Sequence, residues 1–134
     1  MNKILSYRVL DADIAALLLR LIMGGLFIRY GFNKFIGYDQ ILPMFGDIIG
    51  IGSKLSFNLV IFAELICGSL VALGLLTRLA VIPILITMAV AFFVAHAKDA
   101  FDAKALPFVF LLLTSVVFVL GSGKYSIDRF VFNR

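Results

Sequence analysis

Four apolar runs, each close to the ~20 residues that an α-helix needs to cross a bilayer, occupy most of this 134-residue chain. They read from about 13 to 35, 55 to 76, 79 to 97 and 105 to 120, with short breaks between them. A soluble fold of this size has nowhere to put them. The chain is 63% hydrophobic and 15% charged, whereas a domain of similar length buries only about two-thirds of its surface. The expected fold is all-α: a four-helix transmembrane bundle forming one integral-membrane domain over residues 1–134. The same composition excludes a soluble enzyme, a disordered chain and a disulfide scaffold. The first partner it implies is the lipid bilayer.

The breaks are informative too. The run from Ile14 to Phe35 is too long for a cleaved signal and carries Arg20 and Arg29, so it reads as a retained span with Asp11 or Asp13 suited to cap it. The connection 36–54 mixes Gly37, Pro43, Gly46, Gly50 and Gly52 with Ile41, Leu42, Met44, Phe45, Ile48 and Ile49. That greasy composition predicts an interfacial or re-entrant segment rather than a solvated loop. Gly74, Thr77 and Arg78 mark a tight turn, and Pro83 and Pro107 fall in early helical turns, where a missing amide costs least. The segment GSGKYS at 121–126 lacks the spacing of a phosphate loop and reads as a helix terminator and turn.

Charge follows topology. Lys3, Arg8, Arg78, Lys124, Arg129 and Arg134 fall on the side of the termini, and Lys34, Lys54, Lys98 and Lys104 on the other, six against four. The positive-inside rule then places both termini in the cytoplasm. No dense basic run supports nucleic-acid binding despite the +4 net charge. Cys67 is alone, so no disulfide or redox couple forms within the chain, and no Cys/His or carboxylate cluster predicts a metal.

Two ionisable residues fall deep within the spans. A charge at mid-helix costs roughly 2.5–3.5 kcal/mol and calls for a partner or a wet cavity. Arg20 is seven residues beyond Asp13 and Glu64 twelve before Leu76, a height difference of about 8 Å at the helical rise. Glu64 is the only Glu of the chain, and Arg20 is its expected partner. Arg20, Gly24, Phe27, Gly31 and Lys34 recur at helical spacing on one face, as do Glu64, Gly68, Val71 and Arg78 on another. The glycines would let the two faces approach closely. The expected picture is a polar seam between the first two helices, with Arg20 and Glu64 at its middle and Lys34 at its outer mouth. His96 ends the third helix at that same level. The pair either fixes helix register or forms a ligand or proton site, and His96 is either interfacial or a ligand. Tyr30 belongs to the tyrosines that stand in for a Trp belt.

Arg20, YGFNK at 30–34, the run ELICGSLVALGLLTRLA at 64–80 and GSGKYSID at 121–128 together resemble the DoxX family of small four-helix bacterial membrane proteins. Arg20, Gly31, Lys34, Glu64, Gly68, Gly74, Arg78, Gly123 and Asp128 match the family pattern one by one. Tyr30 stands where many members have His, and Lys104 and Ala105 near where a Glu often opens the fourth helix. The resemblance implies the bacterial inner membrane and a link to oxidoreduction, including thiosulfate:quinone oxidoreduction, thiol and superoxide defence, and quinone detoxification.

Three functions follow from these readings. One is a quinone- or small-acid-binding subunit of an oxidoreductase, with no redox centre of its own. In it Arg20 and Lys34 attract a carbonyl or anion, Glu64 exchanges a proton and is the best catalytic candidate, and Tyr30 and His96 stand nearby. The second is a non-catalytic scaffold or assembly factor whose Arg20–Glu64 pair is structural. The third is a small transporter, in which four helices would need to dimerise to form a pathway. The candidate structural residues are Gly31, Gly68, Gly74, Arg78, Gly123 and Asp128. A quinone is the cofactor considered, and a soluble or membrane oxidoreductase or a second copy of the chain the protein partner.

Overall fold

Asp11 starts the first long helix. Its carboxylate accepts from the Asp13 and Ile14 amides at 2.9 and 3.1 Å, satisfying two of the orphan donors of the first turn. From there α1 runs over Ala12–Ile36. The structure, a computed structural model, describes residues 3–132. Arg134 and the side chain of Lys3, both counted among the terminal charges, lie outside the described residues.

After α1 the chain makes two short helical turns, Tyr38–Ile41 and Leu42–Met44, and then enters α2, Ser53–Leu73. Next come α3, Thr77–Ala95, α4, Phe101–Leu120, and a short α5, Ile127–Phe132. Among the described residues there is no strand. α2, α3 and α4 are long and apolar enough to cross a membrane. α1 is longer still, at 25 residues, with Arg20, Arg29 and Lys34 set among its apolar side chains. The helices pack as an antiparallel ring, α1 on α2, α2 on α3, α3 on α4 and α4 back on α1. The expected four-helix transmembrane bundle is what the chain forms.

Small residues set the closest contact. A Cβ added at Gly31 would lie 2.6 Å from the Leu65 nitrogen, and one at Gly24 2.6 Å from the Ala72 Cβ. The α1 and α2 backbones therefore approach to a distance that only glycine allows, the main source of affinity between helices where lipid replaces water. The buried face of α1 is Ala16, Arg20, Met23, Gly24, Phe27 and Gly31, and Arg29 is exposed on the far side, as helical phase requires. Phe27, Cys67, Val71, Ile84, Phe110 and Val117 join across all four helices in the core.

Three spans depart from the ideal helix, α4 by a kink at Lys104 (φ −119°, ψ 15°) and the other two by wider turns. α2 widens into a π-helical stretch over Phe62–Cys67, and α3 ends in another over Ala91–Ala95. Each inserts an extra residue into a turn and re-aims the side chains that follow. The ends of α2 and α3 meet through Gly74 (φ 75°) and Leu76 (φ 51°), the tight turn expected there.

Candidate functional site

The register of α1 against α2 decides which charges meet. Gly31 lies against Leu65 and Gly24 against Ala72, so Arg20 falls level with the Gly74 turn. Glu64 falls level with Gly31 and Lys34. Arg20 and Gly31 are eleven residues apart, roughly 16 Å along the axis, so the expected Arg20–Glu64 pair does not form. The expectation placed Asp13 and Leu76 at one height. Instead α2 stops at Leu73, opposite Arg20, and the tail fills the space beside the first turns of α1. There the Lys124 amide donates to Asp13 Oδ1 at 2.9 Å.

Glu64 has Lys34 as its partner. The Lys34 Nζ donates to Glu64 Oε1 at 2.6 Å, with side-chain exposures of 29% and 6%. A carboxylate this deep needs such a partner to stay ionised. The pair sits in a cavity of about 330 Å³ at the connector end of the bundle, large enough for a small organic ligand. α2 contributes Ser56, Leu59, Val60 and Glu64 to the lining, α3 Ile86, Thr87 and Val90, and the connector Phe45, Ile48 and Ile49. His96 closes the mouth, its Nδ1 2.7 Å from Asp99 Oδ2. Both π-helical stretches border the cavity, a placement π-bulges often take at functional sites.

The connector is held as a cover. Tyr38 and Phe45 stack on Phe57 with ring centroids 5.2 and 5.0 Å apart, and the Tyr38 hydroxyl donates to Asn58 Oδ1 at 2.6 Å. Its greasy composition thus packs against α2 and the cavity. Tyr30 faces elsewhere, packing edge-on against Phe110 of α4 at 6.2 Å, and is absent from the cavity lining.

At the opposite end Arg20 makes a clasp. Its guanidinium donates to the Val71 and Ala72 carbonyls at 3.4 and 3.2 Å and to the Tyr125 carbonyl at 2.5 Å. Asp128 accepts from the Leu76 and Thr77 amides at 2.8 and 3.4 Å and from the Ser122 hydroxyl, capping α3 from the far end of the chain. Arg78 donates to the Phe118 and Val119 carbonyls at 2.9 and 3.2 Å, covering the end of α4. Gly121 and Gly123 take positive φ in the turn that brings the tail back. A side chain at Gly74 would collide with Arg20 and Ser126. Burial works to raise the Asp128 carboxyl. The hydrogen bonds from Ser122, Leu76 and Thr77 and the nearby Arg20 charge outweigh it and hold the group below the ordinary aspartate value.

Of the sequence candidates, the structure therefore gathers Lys34, Glu64 and His96 in one cavity and sends Arg20, Gly74, Arg78, Gly123 and Asp128 to a separate clasp. Gly31 and Gly68 belong to the α1–α2 contact. Sequence reasoning missed Ser56, Thr87 and the connector wall. A hydroxyl residue in an apolar run was the one visible signal, and nothing in the residue pattern announces a π-helical turn.

The DoxX family model matches residues 15–97, from the first turn of α1 to just past His96. The chain belongs to the DoxX family. It is 36% identical over 121 residues to a Bacillus subtilis (strain 168) protein named "Putative oxidoreductase CatD", covering 90% of this chain and 89% of that one. It is 33% identical over 132 residues to "Uncharacterized membrane protein Rv3486" of Mycobacterium tuberculosis (strain ATCC 25618 / H37Rv), covering 83% and 77%. No solved structure matches at a significant level. The DoxX match spans the whole cavity and stops short of the tail half of the clasp.

Proposed function

We propose that this DoxX protein is a membrane subunit associated with oxidoreduction whose connector-end cavity binds a quinone or a small anionic ligand. The carrying observation is an ion pair, Lys34–Glu64, whose carboxylate is buried and whose ammonium is partly exposed, set in a mainly apolar cavity of about 330 Å³. Lys34 offers a charge-assisted donor to a carbonyl or carboxylate oxygen. Glu64 takes or gives the proton that accompanies a change in the ligand's redox state. His96 with Asp99 at the mouth offers a route between that carboxylate and water. Electrons belong to the bound ligand or to an oxidoreductase partner, since the chain carries one Cys and one His. The name of the Bacillus subtilis relative supports the link to oxidoreduction.

The same proposal places the protein in the bacterial inner membrane with both termini in the cytoplasm. This placement rests on the six Lys and Arg of the terminal side, among them Arg8, Arg78, Lys124 and Arg129, against Lys34, Lys54, Lys98 and Lys104 at the connector end, where Glu64 matches the Lys34 charge.

Calorimetric titration of a short-tailed benzoquinone, and separately of benzoate, into the purified full chain tests the reading. Wild type is expected to bind one of the two, and Glu64→Gln to weaken that binding by tenfold or more at unchanged thermal stability. Equal binding by wild type and variant, or none by wild type, sinks it. The non-catalytic scaffold would then be the better account, with Arg20 as its structural charge.

A further inference from the structure

A second cavity, of about 430 Å³, opens at the terminal end of the bundle beside the clasp. The first turn of α3 gives it Thr77, Arg78 and Leu79, and the returning tail gives it Ser122, Asp128 and Arg129. α3 begins its apolar run at Thr77, so the cavity lies where hydrocarbon gives way to headgroups. The surrounding surface agrees with that depth. Leu79 is 65% exposed, and Phe130 and Val131 next to Arg129 are exposed as well, apolar surface that a bilayer covers at its boundary.

The charges in this cavity are unevenly engaged. Asp128 accepts at one oxygen from the Leu76 amide and at the other from the Thr77 amide and the Ser122 hydroxyl. Arg78 uses its Nε and an Nη2 hydrogen on the carbonyls that end α4, which leaves its Nη1 donors free. The Arg129 amide donates to Ser126 Oγ at 3.2 Å, while its guanidinium has no partner among the described residues. Thr77 is 1% exposed, and its Oγ1 has no partner either. Arg20 Nε and Ser56 Oγ share that condition, but of the three residues only Thr77 borders this cavity. The Arg78 and Leu79 amides belong to the same first turn and have no carbonyl within the helix to receive them.

We infer that this cavity binds the phosphodiester headgroup of an anionic phospholipid. Two guanidiniums against one engaged carboxylate leave an excess of positive charge at headgroup depth, the arrangement by which basic pockets between membrane helices hold lipid phosphates. Arg129 and the free Nη1 of Arg78 donate to the phosphate oxygens, with the Thr77 hydroxyl as a third donor, and an acyl chain lies along Leu79. A zwitterionic headgroup brings an ammonium as well, and the carboxylate that lines the cavity is already taken by amides and a hydroxyl. The site is separate from the connector-end cavity, and nothing in it depends on what that cavity holds.

The test titrates dioctanoyl phosphatidylglycerol, dioctanoyl phosphatidylcholine and inorganic phosphate separately into the purified full chain in an uncharged detergent, with binding followed by microscale thermophoresis. Salt at about 0.15 M screens loose surface attraction. Wild type is expected to bind the glycerol lipid about tenfold more tightly than the choline lipid, and Arg129→Gln to lose that preference at an unchanged melting temperature. Thr77→Val, which keeps the shape of the side chain, should weaken binding severalfold without lowering the melting temperature. Lys124 belongs to the same end but lies over the Tyr125 ring, outside the cavity, and Lys124→Gln should bind as wild type does. Equal affinity of wild type for the two lipids overturns the inference. Equal losses in Arg129→Gln and Lys124→Gln overturn it too, since surface charge in general would then be responsible. Inorganic phosphate binding as tightly as the glycerol lipid makes the ligand a free anion and overturns the lipid assignment.

Discussion

Lys34 and Glu64 hold each other in place, and their worth is clearest when one is removed. Lys34→Met strands a carboxylate that is 6% exposed, at a cost of about 3 kcal/mol. Converting Glu64 to Met as well removes the stranded charge and should restore most of that loss. Unfolding of the two variants in detergent checks the pattern, and a double variant no more stable than the single one contradicts it. At this scale Glu64 and Lys34 were legible as charges that an apolar helix does not accept without reason. Their pairing was not, because spacing along one helix says nothing about its register against the next. Ser56 was less legible still, since a small hydroxyl in an apolar run normally bonds its own backbone.

Helix α1 meets α2 through glycine, and this contact sets the register that brings Lys34 to Glu64. A Cβ at Gly31 would sit 2.6 Å from the Leu65 nitrogen and 2.9 Å from its Cα, so the backbones must part. Gly31→Ala is expected to destabilise by about 1–3 kcal/mol and to weaken ligand binding as the pair is pulled open. Gly25 has nothing within 4 Å of an added Cβ. Gly25→Ala on the same helix should be neutral or stabilise by up to about 1 kcal/mol. Comparing the two in unfolding and binding separates close packing from general helix propensity. The spans and the glycine face were readable from run length and periodicity. The ends of α2 were not, because the break at Gly74 comes before the apolar residues Leu75 and Leu76 run out. Arg20 was given the wrong neighbour because α1 and α2 were taken to end level, whereas the α2–α3 turn stands opposite Arg20, seven residues along α1 from Asp13.

Across the whole molecule, the clasp joins the tail to the first helix and to the α2–α3 turn. Its pH dependence follows from Asp128. The folded carboxyl titrates below its unfolded value of about 4, so its contribution is complete above that value and is lost as pH falls through the folded one. Limited proteolysis of residues 121–132 should therefore rise on acidification from about pH 5 to about pH 3, and Asp128→Asn should remove the step. The tail motif was legible as a turn, whereas its role as a cap for a helix some fifty residues away was not, since capping across the fold leaves no local spacing to read. The clasp also has a consequence in time. Arg20 enters the membrane early in synthesis, while the Tyr125 carbonyl that receives its guanidinium lies 105 residues later. At ribosomal speeds of about 5–20 residues per second, the guanidinium waits on the order of 5–20 s for that acceptor. During that interval the guanidinium has only the Val71 and Ala72 carbonyls of α2 to donate to, and a chain released before Tyr125 keeps that half-made clasp.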